Sequence, residues 1–181
     1  AAVYQELSLV PDMTVAENIW LAHEPRRFGV VLRREVARRT EALLALFAGT
    51  VRPSLRPDTP VAALPPDERQ IVEILKALSS DPRLMILDEA TASLDSRQVA
   101  RVFELMAAWK ARGMAVVFVS HRMDEVFRVA DRATVLRSGR TVGSVLIRET
   151  SANALVAMMI EGAAASAARA PGEQTAERPV R

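Results

Sequence analysis

Two short apolar runs, each followed by polar side chains, place the strongest constraint on how this 181-residue chain can fold. Residues 84–87 and 114–119 are apolar without interruption, and a stretch with helical periodicity lies between them. Continuous apolar strands that alternate with helices are typical of a parallel sheet covered on both faces. The sequence therefore predicts an α/β fold built around a parallel sheet.

Apolar side chains at intervals of three or four residues predict the helices of this fold. The predicted helices span residues 13–22, 32–48, 67–78, 98–111, 123–130 and 154–160. In the first of them, Thr14 and Glu17 have the spacing of a capping box, which predicts that the helix begins after Thr14. Two further runs, 133–136 and 141–145, flank Ser138-Gly139 and predict a β-hairpin.

These elements predict a division of the chain into four parts. Residues 1–9 form the end of a core strand and the following loop, and residues 10–80 form a helical subdomain. Residues 81–160 form a sheet-based core. Residues 161–181 are rich in Ala, Pro, Gly and charge without periodicity, and we expect them to be a disordered tail or interdomain linker.

Composition excludes several classes of protein. Without cysteine, the chain cannot form a disulfide framework or a thiolate metal site. No apolar run approaches the roughly 18 residues of a membrane-spanning helix. Arg26-Arg27 and the LRREVARR run are interpreted as solvated helix faces, because a nucleic-acid site requires a denser basic stripe and aromatic side chains. We therefore expect no nucleic-acid partner.

Asp88 and Glu89 directly follow the first apolar run, in the sequence LMILDEATASLD. Ligands of open parallel sheets bind beyond the carboxyl ends of the strands, and Mg²⁺ prefers oxygen ligands such as these carboxylates. In this hypothesis Asp88 holds the metal through water, and Glu89 orients or deprotonates an attacking water. The alternative is that one acid caps a helix and the other faces solvent.

Ser120-His121 follows the second apolar run, at the same predicted edge of the sheet. A histidine there could contact the γ-phosphate of a nucleotide; the alternative is an ordinary loop histidine. Gln5 follows the opening strand, and its amide oxygen could bind Mg²⁺. His23, next to Glu24 and Pro25, is interpreted as a loop residue.

Together these motifs resemble the ATP-binding subunits of ABC transporters. The resemblance extends from residue 1 to about residue 160 and rests on QELSLVPDMTVAENI, ERQIVEILKALSSDPRLMILDEATASLD and VVFVSHRMDEVFRVADRATVLRSGR. These segments look most like the first of the two tandem ATPase halves of sugar importers of the ribose, galactose or xylose type. The resemblance implies a partial P-loop NTPase-like core with an inserted helical subdomain, and it implies ATP and Mg²⁺ as cofactors.

The resemblance also assigns roles to residues. Gln5 would be the glutamine of the Q-loop and, with Asp88, a ligand of Mg²⁺. Glu89 would be the catalytic base and His121 the switch histidine. Ser93-Leu94-Asp95 would be the D-loop, which meets the opposite subunit and helps to bind nucleotide.

The first departure from the family is that the chain contains no G-x-x-x-x-G-K-[ST] motif, the loop that cradles the phosphates. In the family this loop precedes the Q-loop. The chain also begins without Met and at the end of a predicted strand, so we expect it to be part of a longer polypeptide. This polypeptide alone is expected to bind ATP poorly, because several charged hydrogen bonds, each worth about 1.5–3 kcal/mol, would be missing.

The second departure is the signature loop, where the family has Leu-Ser-Gly-Gly-Gln and this chain has Leu64-Pro65-Pro66-Asp67-Glu68. Pro66 removes a backbone donor. Asp67 would repel an arriving γ-phosphate by roughly 3 kcal/mol per unit charge at about 5 Å. We therefore expect a poor signature donor, although Asp67 and Glu68 could also complement the helix N-terminus.

The leading hypothesis is thus an ATP-hydrolysing subunit, or a fragment of one, of a sugar importer. The resemblance implies transmembrane permease subunits and a second ATPase half as partners, a periplasmic solute-binding protein as an indirect partner, and a peripheral location on the cytoplasmic face of the inner membrane. The alternative is a catalytically degenerate half that dimerises and regulates. The DNA-repair and chromosome-cohesion ATPases are disfavoured, because residues 6–63 contain no heptads for a coiled coil.

Overall fold

The computed structural model describes residues 1–21 and 23–161, without the side chain of Glu161. Its described residues fall into two compact units, and the division lies between Arg122 and Met123. Most of the predicted tail, residues 162–181, lies outside the described residues. The predicted boundaries at residues 9, 80 and 160 stay predictions.

The first unit contains nine regular elements. In chain order they are β1 (Ala2–Val3), α1 (Val15–Trp20), β2 (Arg26–Arg27), β3 (Val30–Val31), α2 (Arg33–Leu44), α3 (Pro66–Leu78), β4 (Leu84–Asp88), α4 (Ser96–Ala111) and β5 (Ala115–Val119). Short 3₁₀ turns lie at Ala45–Phe47 and Val61–Ala63. The predicted helices of this unit are therefore confirmed, with boundaries shifted by a few residues.

A parallel three-stranded sheet in the order β1-β4-β5 forms the centre of the first unit. Met85 and Leu87 of β4 are fully buried. Helix α3 packs against β1, and helix α4 packs against β5, where Phe103 and Phe118 meet edge to face with ring centroids 5.9 Å apart. The predicted parallel α/β sheet is confirmed, and its edge beyond β4 and β5 is where the predicted site residues lie.

The prediction that the sheet is covered on both faces is wrong for β5 within the described residues. Side chains alternate along a strand, so Phe118 packs towards α4 while Val117 and Val119 lie on the opposite face. These two valines are 47% and 46% exposed. The apolar run predicted burial, but Val116 and Phe118 on one face of β5 are half-buried and the other face is exposed.

Helix α1 begins at the predicted capping box. The Glu17 amide donates to Thr14 Oγ1 at 3.2 Å, and Glu17 Oε2 accepts from the Thr14 amide at 2.8 Å. This reciprocal arrangement satisfies two backbone donors that a helix start otherwise leaves without partners. The predicted helix start at Thr14 is confirmed.

Replacing Thr14 with alanine should lower the free energy of unfolding by about 1 kcal/mol, because the amide of Glu17 loses its acceptor. Urea unfolding at neutral pH measures this change, with Thr14→Ser as the control that keeps the hydroxyl. Hydrogen bonds from the Thr14 amide, and then from its hydroxyl, lower the pKa of Glu17 from its ordinary 4.5. The contribution of this carboxylate is therefore complete above pH 4.5 and is lost as pH falls through its lower folded pKa. An unchanged Thr14→Ala protein would contradict the capping role.

A small antiparallel hairpin is formed by β2 and β3, and the sequence did not predict it. Its turn residues Phe28 and Gly29 both have positive φ, at 50° and 81°. The interpretation of Arg26-Arg27 as a helix face is wrong, since both residues lie on a strand with exposed side chains. The hairpin was missed because its strands are two residues long and Phe-Gly is not a typical hairpin turn dipeptide.

The second unit contains α5 (Met123–Val129), β6 (Arg132–Arg137), β7 (Arg140–Leu146), a 3₁₀ turn (Ile147–Glu149) and α6 (Ala152–Glu161). Strands β6 and β7 form the predicted antiparallel hairpin, with Ser138 and Gly139 at positive φ in its turn. Helix α6 packs on this hairpin and buries Leu155. Across both units, none of the helices formed by residues 1–21 and 23–161 has the length and apolar character needed to cross a bilayer.

Candidate functional site

The site begins where two neighbouring parallel strands end. Strands β4 and β5 stay in register as far as the pair Asp88 and Val119. The amide of Glu89 then donates to the carbonyl of Val119 at 3.0 Å, which holds the two chains together one residue beyond the sheet. Asp88 and Glu89 therefore share one sheet edge with Ser120 and His121.

Glu89 and His121 are in direct contact at this edge. Nδ1 of His121 lies 3.1 Å from Oε1 of Glu89. An ionised carboxylate only accepts hydrogen bonds, so in that state Nδ1 must carry the proton and donate. The His121 side chain is 69% exposed and that of Glu89 is 30% exposed, so both groups remain accessible from solvent.

A cavity of about 140 Å³ opens beside this pair. Its lining consists of Glu89, Thr91, Ala92, Ser120, His121 and Arg122. This volume holds several water molecules. The residues around this small space carry a carboxylate, an imidazole, two hydroxyls and a guanidinium.

Gln5 lies near the same edge of the sheet by strand register. Val3 of β1 is paired with Leu87 of β4. Gln5 lies two residues after Val3, and Glu89 lies two residues after Leu87. Gln5 is exposed. The three strands therefore bring Gln5, Asp88, Glu89 and His121 to one edge of the sheet.

The donor set at this edge fits a Mg²⁺ ion that keeps several waters. Mg²⁺ in nucleotide sites takes one or two protein oxygens and completes its shell with water and phosphate. Asp88 and Gln5 offer one carboxylate and one amide oxygen. Within residues 1–21 and 23–161, no group of three or more His, Asp or Glu side chains forms a complete metal site.

The predicted D-loop residues lie in the turn before α4. Ser93 is exposed in that turn, and Asp95 is the N-cap of α4. Asp95 Oδ1 accepts from the amides of Arg97 and Gln98 at 2.8 Å each, and Gln98 Oε1 accepts from the Asp95 amide at 3.0 Å. Asp95 therefore fixes the start of α4 in this chain, and its predicted role towards a partner stays a prediction.

The predicted signature loop leads into α3. Leu64 is buried, Pro65 is the N-cap, and Pro66 is the first helical residue. Proline at this position is favourable because the first helical amide has no partner within the helix. With two successive prolines, however, neither position 65 nor position 66 has a backbone N–H to offer an anion.

Both acids of the predicted signature loop have partners within the chain. Asp67 Oδ2 accepts from Gln98 Nε2 at 2.8 Å, and the same nitrogen donates to the carbonyl of Thr50 at 3.1 Å. Glu68 is 1% exposed and accepts from Nε and a terminal nitrogen of Arg52 at 2.9 and 2.6 Å. These contacts tie the first turn of α3 to α4 and to the loop around residue 50.

Sequence reasoning missed the buried polar residues that position these elements. Gln98 was detectable, because Asp95 and Gln98 have the spacing of a capping box. Asn18 and Glu73 had a weaker signal, since each interrupts an apolar helix face. His23, interpreted as a loop histidine, lies with its Nε2 2.8 Å from Ser79 Oγ and its ring 5.3 Å from that of Trp20.

Residues 1–92, half of the chain, match the sequence family described as "ABC transporter". The chain therefore belongs to the ABC transporter family. This match confirms the resemblance to ABC transporter ATPases that the sequence motifs indicated.

Relatives within the family are named for sugar import. The chain is 44% identical over 164 residues to the ribose import ATP-binding protein RbsA of Chromobacterium violaceum, covering 88% of this chain and 31% of that protein. It is also 44% identical over 159 residues to ribose import ATP-binding protein RbsA 1 of Rhizobium etli, covering 87% of this chain and 30% of that protein. The chain thus spans about a third of the length of the curated relatives that it matches.

Solved ABC cassettes share the fold. A dimeric post-hydrolysis state of the ATP-binding cassette MJ0796, bound to ADP and Pi, aligns with a TM-score of 0.70 at 22% identity. The alignment covers 81% of this chain and 62% of the cassette. A second dimeric structure of MJ0796, described as a bacterial ABC transporter cassette, aligns with a TM-score of 0.68. This likeness confirms the predicted α/β, P-loop NTPase-like architecture.

Proposed function

We propose that this chain supplies the water-activating part of an ATP site in an importer for ribose or a related sugar. The observation that carries the proposal is the contact between Glu89 and His121 at the sheet edge that Asp88 also occupies. Membership of the ABC transporter family and the ribose import relatives support ATP as the nucleotide and a sugar as the solute.

In this proposal Glu89 accepts the proton of a water that attacks the γ-phosphate of ATP. The carboxylate lines the cavity and is partly exposed, so a water can reach it. His121 donates to Glu89 through Nδ1, and in its doubly protonated form Nε2 would also carry a proton to donate to the phosphate. Asp88 and Gln5 would hold Mg²⁺, which would neutralise charge that develops on the phosphates.

A second ATPase half completes each site in the proposed assembly. Ser93 lies exposed in the turn before α4 and is available to such a partner. The signature loop of this chain is a poor donor to the partner's nucleotide, because Pro65 and Pro66 lack N–H groups and Asp67 is negative. We therefore propose that the site containing Glu89 turns over ATP and that the site served by residues 64–68 is degenerate.

The remaining proposed partners follow from the import function. Transmembrane permease subunits would receive the movement that ATP produces, and a periplasmic solute-binding protein would act through them. The ATPase would then be peripheral, on the cytoplasmic face of the inner membrane.

The test uses the full-length product of the gene that contains this chain. We expect it to bind ATP in the presence of Mg²⁺ and to release phosphate, with faster release when permease subunits and the sugar-loaded binding protein are present. Binding of ATP without any turnover would favour the alternative, a degenerate half that dimerises and regulates. Absence of ATP binding would overturn the proposal.

A further inference from the structure

Residues 6–10 join the Gln5 end of the sheet to the helices of the first unit, and this connecting segment is attached at two points. At Val10, the buried side-chain amide of Asn18 accepts a hydrogen bond from the backbone N–H at 2.7 Å and donates one to the backbone carbonyl at 3.0 Å. At Ser8, the attachment is to Glu73 and Lys76 of α3. Helix α3 is also the helix that begins at the signature loop, so this second attachment links two functional segments.

Ser8 is at the centre of its attachment, because its hydroxyl both donates and accepts. Ser8 Oγ donates to Glu73 Oε1 at 2.6 Å and accepts from Lys76 Nζ at 2.9 Å. The Ser8 amide donates to Glu73 Oε2 at 3.3 Å, and the Ser8 carbonyl accepts from Lys76 Nζ at 3.0 Å. These three residues form what is here named the Ser8 clamp.

The clamp is buried on its Glu73 side and exposed on its Lys76 side. Glu73 is 5% exposed although it is charged, and a buried carboxylate without partners is costly. Glu73 and Lys76 are three residues apart on α3, so both face the connecting segment from one side of the helix. Opposite charges on the two sides of one hydroxyl hold that hydroxyl in a single orientation.

We propose that the Ser8 clamp is the positioning contact that makes the connecting segment and α3 move together when nucleotide binds at the sheet edge. Gln5 lies three residues before Ser8, so a displacement of Gln5 reaches the clamp through a short length of chain. Glu73 then passes the displacement to α3 and to the signature loop at its N-terminus. This inference rests on the proposed ATP site and assigns its coupling to Ser8, Glu73 and Lys76.

The clamp can be tested by amide hydrogen exchange on the full-length protein, first without nucleotide. Ser8→Ala removes both hydroxyl contacts and should speed exchange of the amides of residues 8–10 by roughly three- to tenfold, as expected for the loss of a hydrogen bond. Ser8→Thr keeps the hydroxyl and should exchange like wild type. The matched control is Ser80→Ala, because Ser80 Oγ donates only to Ala77 O at the end of α3.

The second arm adds a non-hydrolysable ATP analogue with Mg²⁺. In wild type, Ser8→Thr and Ser80→Ala, we expect exchange to change both in residues 6–10 and in α3. In Ser8→Ala, affinity for the analogue should stay within about twofold and residues 6–10 should still respond, while the response of α3 is lost. A clamp with only a structural role would leave the α3 response intact in every variant that binds the analogue.

The outcomes separate the clamp from the proposed function. An α3 response that survives Ser8→Ala, or unchanged exchange in the first arm, overturns the clamp and leaves the ATP site standing. A wild-type protein that does not bind the analogue overturns the ATP site and, with it, the coupling. In that case the first arm still decides whether Ser8 holds the connecting segment.

Discussion

Glu89→Gln is expected to lower ATP turnover by the full-length protein by about 10²-fold or more, while ATP affinity stays unchanged. Glutamine has the size of glutamate and keeps an oxygen that can accept from His121 Nδ1 at the observed 3.1 Å. It lacks the basic carboxylate that, in the proposed mechanism, accepts the proton of water. Single-turnover phosphate release, measured beside equilibrium ATP binding, separates the chemical step from binding.

The control for this variant is Glu104→Gln. Glu104 lies on α4, is 64% exposed and pairs with Arg101 at 2.8 Å, away from the sheet edge. Glu104→Gln makes the same chemical change as Glu89→Gln and should leave both ATP turnover and ATP affinity unaltered. Wild-type turnover in Glu89→Gln would remove Glu89 from its assigned role, and a parallel loss of ATP affinity would make it a binding residue instead.

Asn18→Ala is expected to reduce the local free energy of unfolding around α1 by roughly 2–4 kcal/mol. The Asn18 side chain is fully buried. Its Nδ2 donates to the carbonyls of Val10, Met13 and Thr14, and its Oδ1 accepts from the Val10 amide. Alanine leaves the buried Val10 amide without its acceptor, while the three carbonyls lose one hydrogen bond each and keep a backbone donor.

Amide hydrogen exchange over residues 8–20 of the full-length protein measures this local free energy. The matched control is Asn153→Ala, since Asn153 is exposed in the first turn of α6 and should change stability by less than about 0.5 kcal/mol. A loss below about 1 kcal/mol in Asn18→Ala would mean that water or a shifted loop replaces the amide.

The sequence predicted the elements whose pattern is local. The apolar runs at residues 84–87 and 114–119 indicated β4 and β5, and the capping box at Thr14 indicated the start of α1. The parallel sheet followed from the alternation of these strands with helices. It also followed that Asp88 and His121 lie at one edge, because parallel strands that are neighbours end on the same side.

The contacts that position the site were not predictable in the same way. Gln98 reaches Asp67 across 31 positions of the chain, and Ser8 reaches Glu73 across 65. Hydrophobic periodicity indicates which face of a helix is buried, but it does not indicate which polar side chain meets which. The exposed valines of β5 were missed for a related reason, because an apolar run does not reveal whether an element covers each face of the strand.

The backbone of Glu89 has a consequence for how this chain tolerates change. Glu89 has φ of 48°, in the left-handed region where an L-residue other than glycine is disfavoured by about 1–2 kcal/mol. Glycine at this position would relax the main chain and remove the carboxylate in the same step. Selection for heat resistance alone would therefore favour glycine at position 89, whereas a screen that also measured the proposed ATP turnover would retain the glutamate.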